Sequence, residues 1–498
     1  MSLKIHMRPH RAAGGKRRAG QDRQVNRKVP RPDLAPLVGG ALALLVVGRL
    51  AQNYSTRRAA RVVPRCRVVV IGAGFGGLNA ALVLARSPEI DLTVIDTNNH
   101  HLFQPLLYQV ATAALSAEDI ASPVRDIVPE THHTRVVMDT VTGIDTAARQ
   151  VLCVGGSVAY DELVVATGSR SSYFGHDAWA HAAPSLKNLE DALELRGRIL
   201  VAFEEARRAA DARARARLLT FVLIGGGPSG VEMAGSIAEL CRETLALECA
   251  ADRGMSRIVL VEAGDRVLAE FPPDLSANAA GALRKLGVDI RVGTAVTAID
   301  DGVVHLGDET IEAGTIVWTA GTEATSVADW LGVKPGHGGR VPVGPDLRVE
   351  SQPRIHVIGD AALAPDAHGK PLPGLGAVAK QQGHYAGRAI YRRVRGLGEL
   401  GPFLYRDYGT LATVGRGRAV AEFGRVHLTG IAAWAMWAAS HIFFLIGFRN
   451  RVLVSAQWAF DFATNERPGR LIFQRNPCDS DAEKKKKILS QMNTDKQG

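Results

Sequence analysis

Twice in this chain a run of apolar residues breaks into a glycine turn that opens a helix, and that repetition narrows the fold more than any other feature. Val68-Val69-Val70-Ile71 runs into Gly72-Ala73-Gly74-Phe75-Gly76-Gly77, and about 150 residues later Phe221-Val222-Leu223-Ile224 runs into Gly225-Gly226-Gly227-Pro228-Ser229-Gly230. Both fit strand, G-x-G-x-x-G, helix. The first glycine allows the tight turn, the second lets a pyrophosphate approach the backbone, and the third lets helix pack close on strand. The helix after each turn aims unpaired N–H groups and the positive end of its dipole at the phosphates. In both halves the following strand ends in an acid placed to accept hydrogen bonds from a ribose: Leu92 to Ile95 ends at Asp96, and Ile258 to Val261 at Glu262. One glycine turn alone is a weak signal. Two, repeated on the scale of a domain, predict an α/β protein with two Rossmann-like dinucleotide-binding domains.

Glu262 lies 37 positions after Gly225, beyond the usual interval of about 20, because the intervening helix is long and residues 250–256 add a loop. A carboxylate there favours NADH by repelling a 2′-phosphate, and Arg266 nearby keeps that preference moderate. After the second unit the chain re-enters the first. Glu162 to Val165 reads as a buried parallel strand ending in Ala166-Thr167-Gly168-Ser169, Thr315 to Gly321 again ends a strand in small residues, and Ile355 to Ile358 ends in Gly359-Asp360. An aspartate there is suited to the ribityl or phosphate region of FAD; the alternative is a cap on the following helix. The expected organisation is an FAD-binding domain split over residues 62–185 and 316–400, an NADH-binding domain at 186–315 inserted in it, a C-terminal membrane-anchoring region at 401–475, and polar ends at 1–61 and 476–498. Between Asp96 and Gln109 the loop holds His100, His101, Phe103, Leu106, Leu107 and Tyr108. It is too apolar for an ordinary surface connection and is expected to wall one side of a flat ring system.

The net charge of +10 misleads, because residues 1–67 hold 16 Lys and Arg against Asp22 and Asp33, leaving residues 68–498 with 44 basic and 48 acidic side chains. The folded body is therefore no basic nucleic-acid binder. The segment Leu34 to Leu50 is apolar but for Arg49 and shorter than the ~20 residues a bilayer span needs; it reads as a weak anchor, a targeting sequence or a stretch upstream of the true start. The five cysteines, Cys66, Cys153, Cys241, Cys249 and Cys478, show neither C-x-x-C nor metal spacing. They read as reduced thiols, with Cys241 and Cys249 buried and apolar, and no redox-active pair stands near the first glycine helix. From Ile431 to Phe448 no Asp, Glu, Lys or Arg occurs, and Trp434, Trp437, His441, Phe444 and Phe448 recur at three- and four-residue steps before Arg449 and Arg451. Such a stripe suits a helix lying in one leaflet; a marginal single span and a dimer-packing surface are the other readings.

These residues, with Phe103 to Thr112 (F-Q-P-L-L-Y-Q-V-A-T), Gly374 to Gly383 (G-L-G-A-V-A-K-Q-Q-G) and Tyr408 to Arg418 (Y-G-T-L-A-T-V-G-R-G-R), resemble the type II NADH dehydrogenases, single-subunit NADH:quinone oxidoreductases that pump no protons. The resemblance covers roughly Arg67 to Phe473. It implies that Gly72, Gly74, Gly77 and Asp96 hold the adenosine diphosphate of FAD, that Thr167 and Gly168 pack along the flavin, and that Asp360 binds FAD. It likewise implies that Gly225, Gly227, Gly230 and Glu262 hold NADH. Glu232 stands where the family keeps a glutamate near nicotinamide and flavin, and its other reading is a helix acid favoured by the dipole. The family's quinone motif A-Q-x-A-x-Q is altered here: Ala377 replaces the first glutamine, Gln381 keeps the second, and Lys380 is either a donor toward flavin or quinone or a solvated lysine. The implied partners are NADH, a membrane quinone and the lipid bilayer on the cytoplasmic face, with a homodimer among the assemblies left open. Removing the chain beyond about Gly430 is expected to detach it from membranes and leave nucleotide chemistry intact. Sulfide:quinone oxidoreductases share the fold but use cysteines at the flavin, and a nucleotide-sensing flavoprotein using the basic arm as contact surface is the reading from another class.

Replacing Glu262 by glutamine is expected to weaken NADH and relax discrimination against NADPH. Steady-state kinetics with both nucleotides check this, and an unchanged ratio removes Glu262 from the role.

Overall fold

The computed structural model describes residues 64–245, 254–464, 467 and 469–472; the apolar segment at 34–50, the basic arm and the polar C-terminal end lie outside the described residues. The first half begins with β1 (Cys66–Ile71), α1 (Phe75–Leu84), β2 (Ile90–Asp96), the short helix α2 (Leu107–Ala111), β3 (Thr134–Met138) and β4 (Glu162–Val165). A crossover helix α3 (Leu189–Arg208) leads to β5 (Thr220–Ile224), α4 (Pro228–Glu239), β6 (Arg257–Val261), α5 (Pro273–Lys285), β7 (Val288–Arg291) and β8 (Thr315–Trp318). The chain returns through β9 (Arg348–Val349), β10 (Gln352–Val357) and α6 (Gly376–Val394). It finishes with β11 (Thr410–Gly415), β12 (Arg418–Phe423), β13 (Val426–Thr429), α7 (Gly430–Phe444) and α8 (Phe448–Thr464).

Three of these groups of strands are sheets. The first is ordered β9-β10-β4-β1-β2-β3, parallel except for the antiparallel pair of β9 with β10. The second, β7-β6-β5-β8, is wholly parallel. Its strands fall between β4 and β10 of the first, so one Rossmann-like unit is inserted in the other. Val68, Val70, Leu92, Val94, Leu163 and Val164, and in the second sheet Phe221, Leu223, Val259 and Leu260, are shut from solvent. β-branched runs buried on both faces are what parallel strands covered by helices require. The third sheet, β11-β12-β13, is antiparallel.

Backbone contact fixes how these parts meet. A Cβ on Gly383 of α6 would lie 2.0 Å from the Gly76 carbonyl oxygen, and one on Gly387 would lie 2.9 Å from that of Ala80, so α6 is laid directly on α1. A Cβ on Gly235 of α4 would lie 1.9 Å from the Val414 carbonyl oxygen, which seats the third sheet on the second glycine helix.

Two expectations need correction. The stretch after Asp96 is no loop: His100–Leu102 forms a strand paired with Ala121–Pro123, and Phe103, Leu106, Leu107 and Tyr108 are core residues, so the cavity at Gly72 is lined from this stretch by Thr97, Asn98, His100, Leu102 and Gln104 and not by its large aromatic residues. Nor is the C-terminal region a detachable foot. Ala433, Trp437, Leu445 and Val454 share one core with Val231, Ala234 and Ile237 of α4 and with Phe221 and Leu223 of the second sheet. Cutting at Gly430 would open that core, because the tail is apolar on its inner face as well as its outer one. The outer face shows Ile431, Met436, Phe443, Phe448, Val452 and Phe460 to solvent, and among the described residues no helix is long and apolar enough to cross a membrane.

Gly383→Ala is expected to cost about 1–3 kcal/mol or more by overpacking, whereas Gly281→Ala, inside α5 with no atom within 4 Å of its would-be Cβ, is expected to be neutral or stabilising by up to about 1 kcal/mol. Equilibrium denaturation of the two variants measures the contrast.

Candidate functional site

The two glycine turns are built alike down to the atom. Gly72 and Gly225 have φ of +94° and +113°, and a Cβ on Gly77 or on Gly230 would lie 1.8 Å from the carbonyl oxygen of Gly72 or Gly225 respectively. Only glycine fits either pair, since the positive φ and the helix pressed on the strand end both exclude a side chain. Gly74 and Gly227, by contrast, have nothing within 4 Å of a would-be Cβ. Their backbones border open space where a diphosphate can approach.

The acids match too. Asp96 accepts from the N–H groups of Ala73 (2.6 Å) and Asn98 (2.7 Å), one per carboxylate oxygen. Glu262 does the same with Gly226 (2.5 Å) and Gly264 (2.6 Å). Each carboxylate is held by backbone donors of the turn it faces, and its remaining lone pairs are free to accept from a ribose. Arg266 is directed elsewhere: it donates to the Ala269 carbonyl (2.8 Å) and pairs with Asp265 (3.5 Å).

A cavity of about 320 Å³ runs along the first turn from Asp96 past Gly74, Thr167, Gly168 and Asp360 to Gly376 and Ala379. Thr167 exchanges a hydrogen bond with Thr325 (2.7 Å), and Gly168, at φ +71°, has open space around it. The Asp360 carboxylate accepts from Ser169 Oγ (2.7 Å), and Lys187 Nζ donates to the same hydroxyl (2.9 Å). Gln382, fully buried, accepts from the Gly359 N–H (2.7 Å). Ser169, Lys187 and Gln382 were not found from the sequence. Lys187 stands just before the helix-capping pair Asn188 and Asp191, a visible signal, while the register of α6 is what turns Gln382 rather than Gln381 to Gly359.

Beyond α6 lies a second cavity, of about 880 Å³, lined by Lys380, Gln381, His384, Arg388, Leu404, Tyr408, Met436, Phe443 and Phe444 among others. Lys380 Nζ lies 4.7 Å over the ring of Phe444, and its pKa is lowered by burial and by the charge of Arg451. The Gln381 amide is committed to the backbone of Arg406, donating to its carbonyl (2.8 Å) and accepting from its N–H (3.0 Å). Gln381 thus borders the cavity as a clamp on the 405–408 segment, whereas the Lys380 ammonium, which no described hydrogen bond commits, borders it beside His384 and Arg388.

Glu232 is directed away from both glycine turns. It lies in the second turn of α4, whose first turn holds no acid, so the dipole reading fails. It lines a small cavity of about 100 Å³ with Tyr108, Gln109, Trp434, Trp437, Trp458 and Asp461, and accepts from the N–H of Thr413 (3.3 Å). Burial pushes its pKa up to about 8. Asp461, half-buried on α8, is raised to about 6 for the same reason.

A sequence model of the pyridine nucleotide-disulphide oxidoreductases matches residues 66–383. Relatives include the type II NADH:quinone oxidoreductase Ndh of Mycobacterium tuberculosis, 41% identical over 419 residues that cover 81% of this chain and 89% of that protein. The type II NADH:quinone oxidoreductase of Staphylococcus haemolyticus is 31% identical over 361 residues, covering 70% of this chain and 88% of that one. Among solved structures, NDH2 of Plasmodium falciparum in complex with NADH superposes with a TM-score of 0.74 at 18% identity, over 82% of this chain and 100% of that chain. The sulfide:quinone oxidoreductase of Aquifex aeolicus superposes with 0.61 at 19%, over 77% and 91%, so this architecture is shared by enzymes of different substrates. Two nested Rossmann-like units, each with a glycine turn and a clamped acid, define a flavoprotein oxidoreductase of the two-dinucleotide class. Within it, the chain belongs to the type II NADH:quinone oxidoreductases.

Because Glu232 folds with a raised pKa, its contribution is full below the unfolded carboxylate value near 4.5 and is lost as pH rises through about 8. Wild-type stability is therefore expected to fall relative to Glu232→Gln by about 1.4 kcal/mol per pH unit across that window. Denaturation of both proteins at about pH 5, 7 and 9 reads the divergence, and parallel curves contradict it.

Proposed function

We propose that the Gly72 cavity takes FAD, that the Gly225 turn takes NADH, and that the 880 Å³ cavity beyond α6 takes the head of a membrane quinone. The enzyme oxidises NADH and reduces quinone by two electrons without pumping protons. FAD supplies the two-electron relay between nicotinamide and quinone. The residues orient the partners: Asp96 and Glu262 accept from the two adenosine riboses, Thr167, Gly168 and Asp360 flank the flavin end of the first cavity, and Lys380 presents a donor to a quinone oxygen. Glu232, its pKa raised by burial to about 8, is a proton store lining a separate cavity with Trp437 and Trp458.

One observation carries this reading. Gly376 and Ala379 of α6 face the dinucleotide cavity while Ala377, Lys380 and Gln381 of the same turn border the larger one. A single helical turn separates them, so an electron donor in one lies close to an acceptor in the other. The described thiols give no support to sulfide chemistry: Cys66, Cys153 and Cys241 all lie outside the cavity lining, and burial raises Cys66 to about 11 and Cys241 to about 12. The exposed apolar face of α7 and α8, with Phe448 73% and Ile431 66% exposed, is the lipid contact of a monotopic enzyme on the cytoplasmic side, where NADH is supplied.

The purified protein is expected to be yellow, to bleach with NADH under anaerobic conditions, and to recover its colour with quinone. In the double variant Ile431→Glu, Phe448→Glu, bleaching is expected to be unchanged, while quinone embedded in vesicles reoxidises it more slowly than a water-soluble short-chain quinone does. A colourless protein, or one that NADH does not bleach, overturns the assignment; a variant that loses nothing with vesicles overturns the lipid contact.

A further inference from the structure

Lys187 is held in place from both sides. Its N–H donates to the Asp191 carboxylate (2.8 Å), which also accepts from Ser185 Oγ (3.0 Å), and its carbonyl accepts from Gln104 Nε2 (3.1 Å). The next residue, Asn188, caps α3 by accepting from the Asp191 N–H (2.7 Å). With the backbone pinned, the side chain enters the Gly72 cavity. There its Nζ donates to Ser169 Oγ (2.9 Å) and lies 3.9 Å from the nearer Asp360 oxygen, beyond hydrogen-bond reach. A lysine has three N–H donors, and the hydroxyl takes one.

The charge around it is lopsided. Among the described residues lining this cavity Lys187 is the single Lys or Arg, against the acids Asp96, Glu190 and Asp360. A dinucleotide adds the negative charge of its two phosphates. The N–H groups and dipole of α1 offset part of this, but they add no side-chain cation to match the three carboxylates. The side chains of Lys187 and Asp360 are each about a quarter exposed, 24% and 27%, and both line the cavity.

We propose that Lys187 is the cation for the diphosphate of the bound FAD, giving its two free donors to phosphate oxygens while its charge lets Asp360 face the same cofactor without repelling it. The inference rests on the placement of FAD along the Gly72 turn. It adds a binding residue that the glycine motif does not contain, supplied by the segment that joins the first Rossmann-like unit to the second.

The test is FAD affinity, read by quenching of flavin fluorescence on titrating FAD into protein stripped of cofactor. Lys187→Met is expected to raise Kd between about tenfold and a hundredfold, the range of a lost charge-assisted hydrogen bond. Lys187→Arg, which keeps the charge, is expected to bind within about threefold of the wild type. A role through charge also makes the wild-type affinity fall more steeply with salt than that of K187M, which a packing role would not do. Should K187M not survive stripping, the rate at which each holoprotein loses FAD on dilution gives the same comparison: fast for K187M, near wild type for K187R. Wild-type affinity and salt dependence in K187M refute the lysine's role alone, as does weak binding by K187R equal to that of K187M. A wild-type apoprotein that takes up no FAD refutes the placement of the cofactor instead.

Discussion

Backbone rests on backbone wherever this molecule handles a nucleotide. At Gly77 on Gly72 and at Gly230 on Gly225 the helix comes so near the strand end that a single Cβ would lie 1.8 Å from a carbonyl oxygen. That closeness points the first N–H groups of each helix at the turn, and leaves the middle glycine of each motif bordering empty space. The acid on the neighbouring strand then closes the turn with two short backbone hydrogen bonds. Everything else in the site is arranged against these two rigid corners.

The same device recurs where the halves of the chain join. Gly383 on Gly76 brings α6 against the first nucleotide helix, and Gly235 on Val414 brings the third sheet against the second. The first contact makes α6 a thin partition between a polar, elongated cavity and a broad apolar one. The second lays a scaffold for α7 and α8, whose inner faces complete the core around α4. An apolar tail with only its outer face exposed can touch lipid and still be part of the enzyme's interior, so the boundary between catalytic body and anchor has no physical meaning here. The packing that locks Trp437 and Val454 into that core also desolvates Glu232 and raises its pKa.

Much of the site was legible before the fold. Gly72, Gly74, Gly77 and Asp96, and their counterparts Gly225, Gly227, Gly230 and Glu262, follow from spacing, because a tight turn leaves few residue choices and each choice leaves a mark. Glu232 was legible as a residue but not in its surroundings: a position in the second turn of a helix says nothing about which distant strand or indole covers it. The quinone motif singled out Gln381 over Gln382, but a motif does not say what either amide bonds. Helical register separates them by one residue, sending the first to the Arg406 backbone and the second to Gly359. Lys187 looked like an ordinary charged residue ahead of a helix.

The sequence by itself determined the two Rossmann-like units, their nesting and their acids, since these rest on local periodicity, glycine φ angles and strand ends that short stretches of chain specify. It also marked the tail as apolar. Only the tertiary structure decided that the aromatic stretch after Asp96 is core, that the tail is half interior, that Lys380 rather than Gln381 is free toward the large cavity, and that Lys187 stands with Ser169 beside Asp360. Each of these depends on contacts between residues far apart in the chain, where burial and hydrogen-bond partners are set by packing that no single segment encodes.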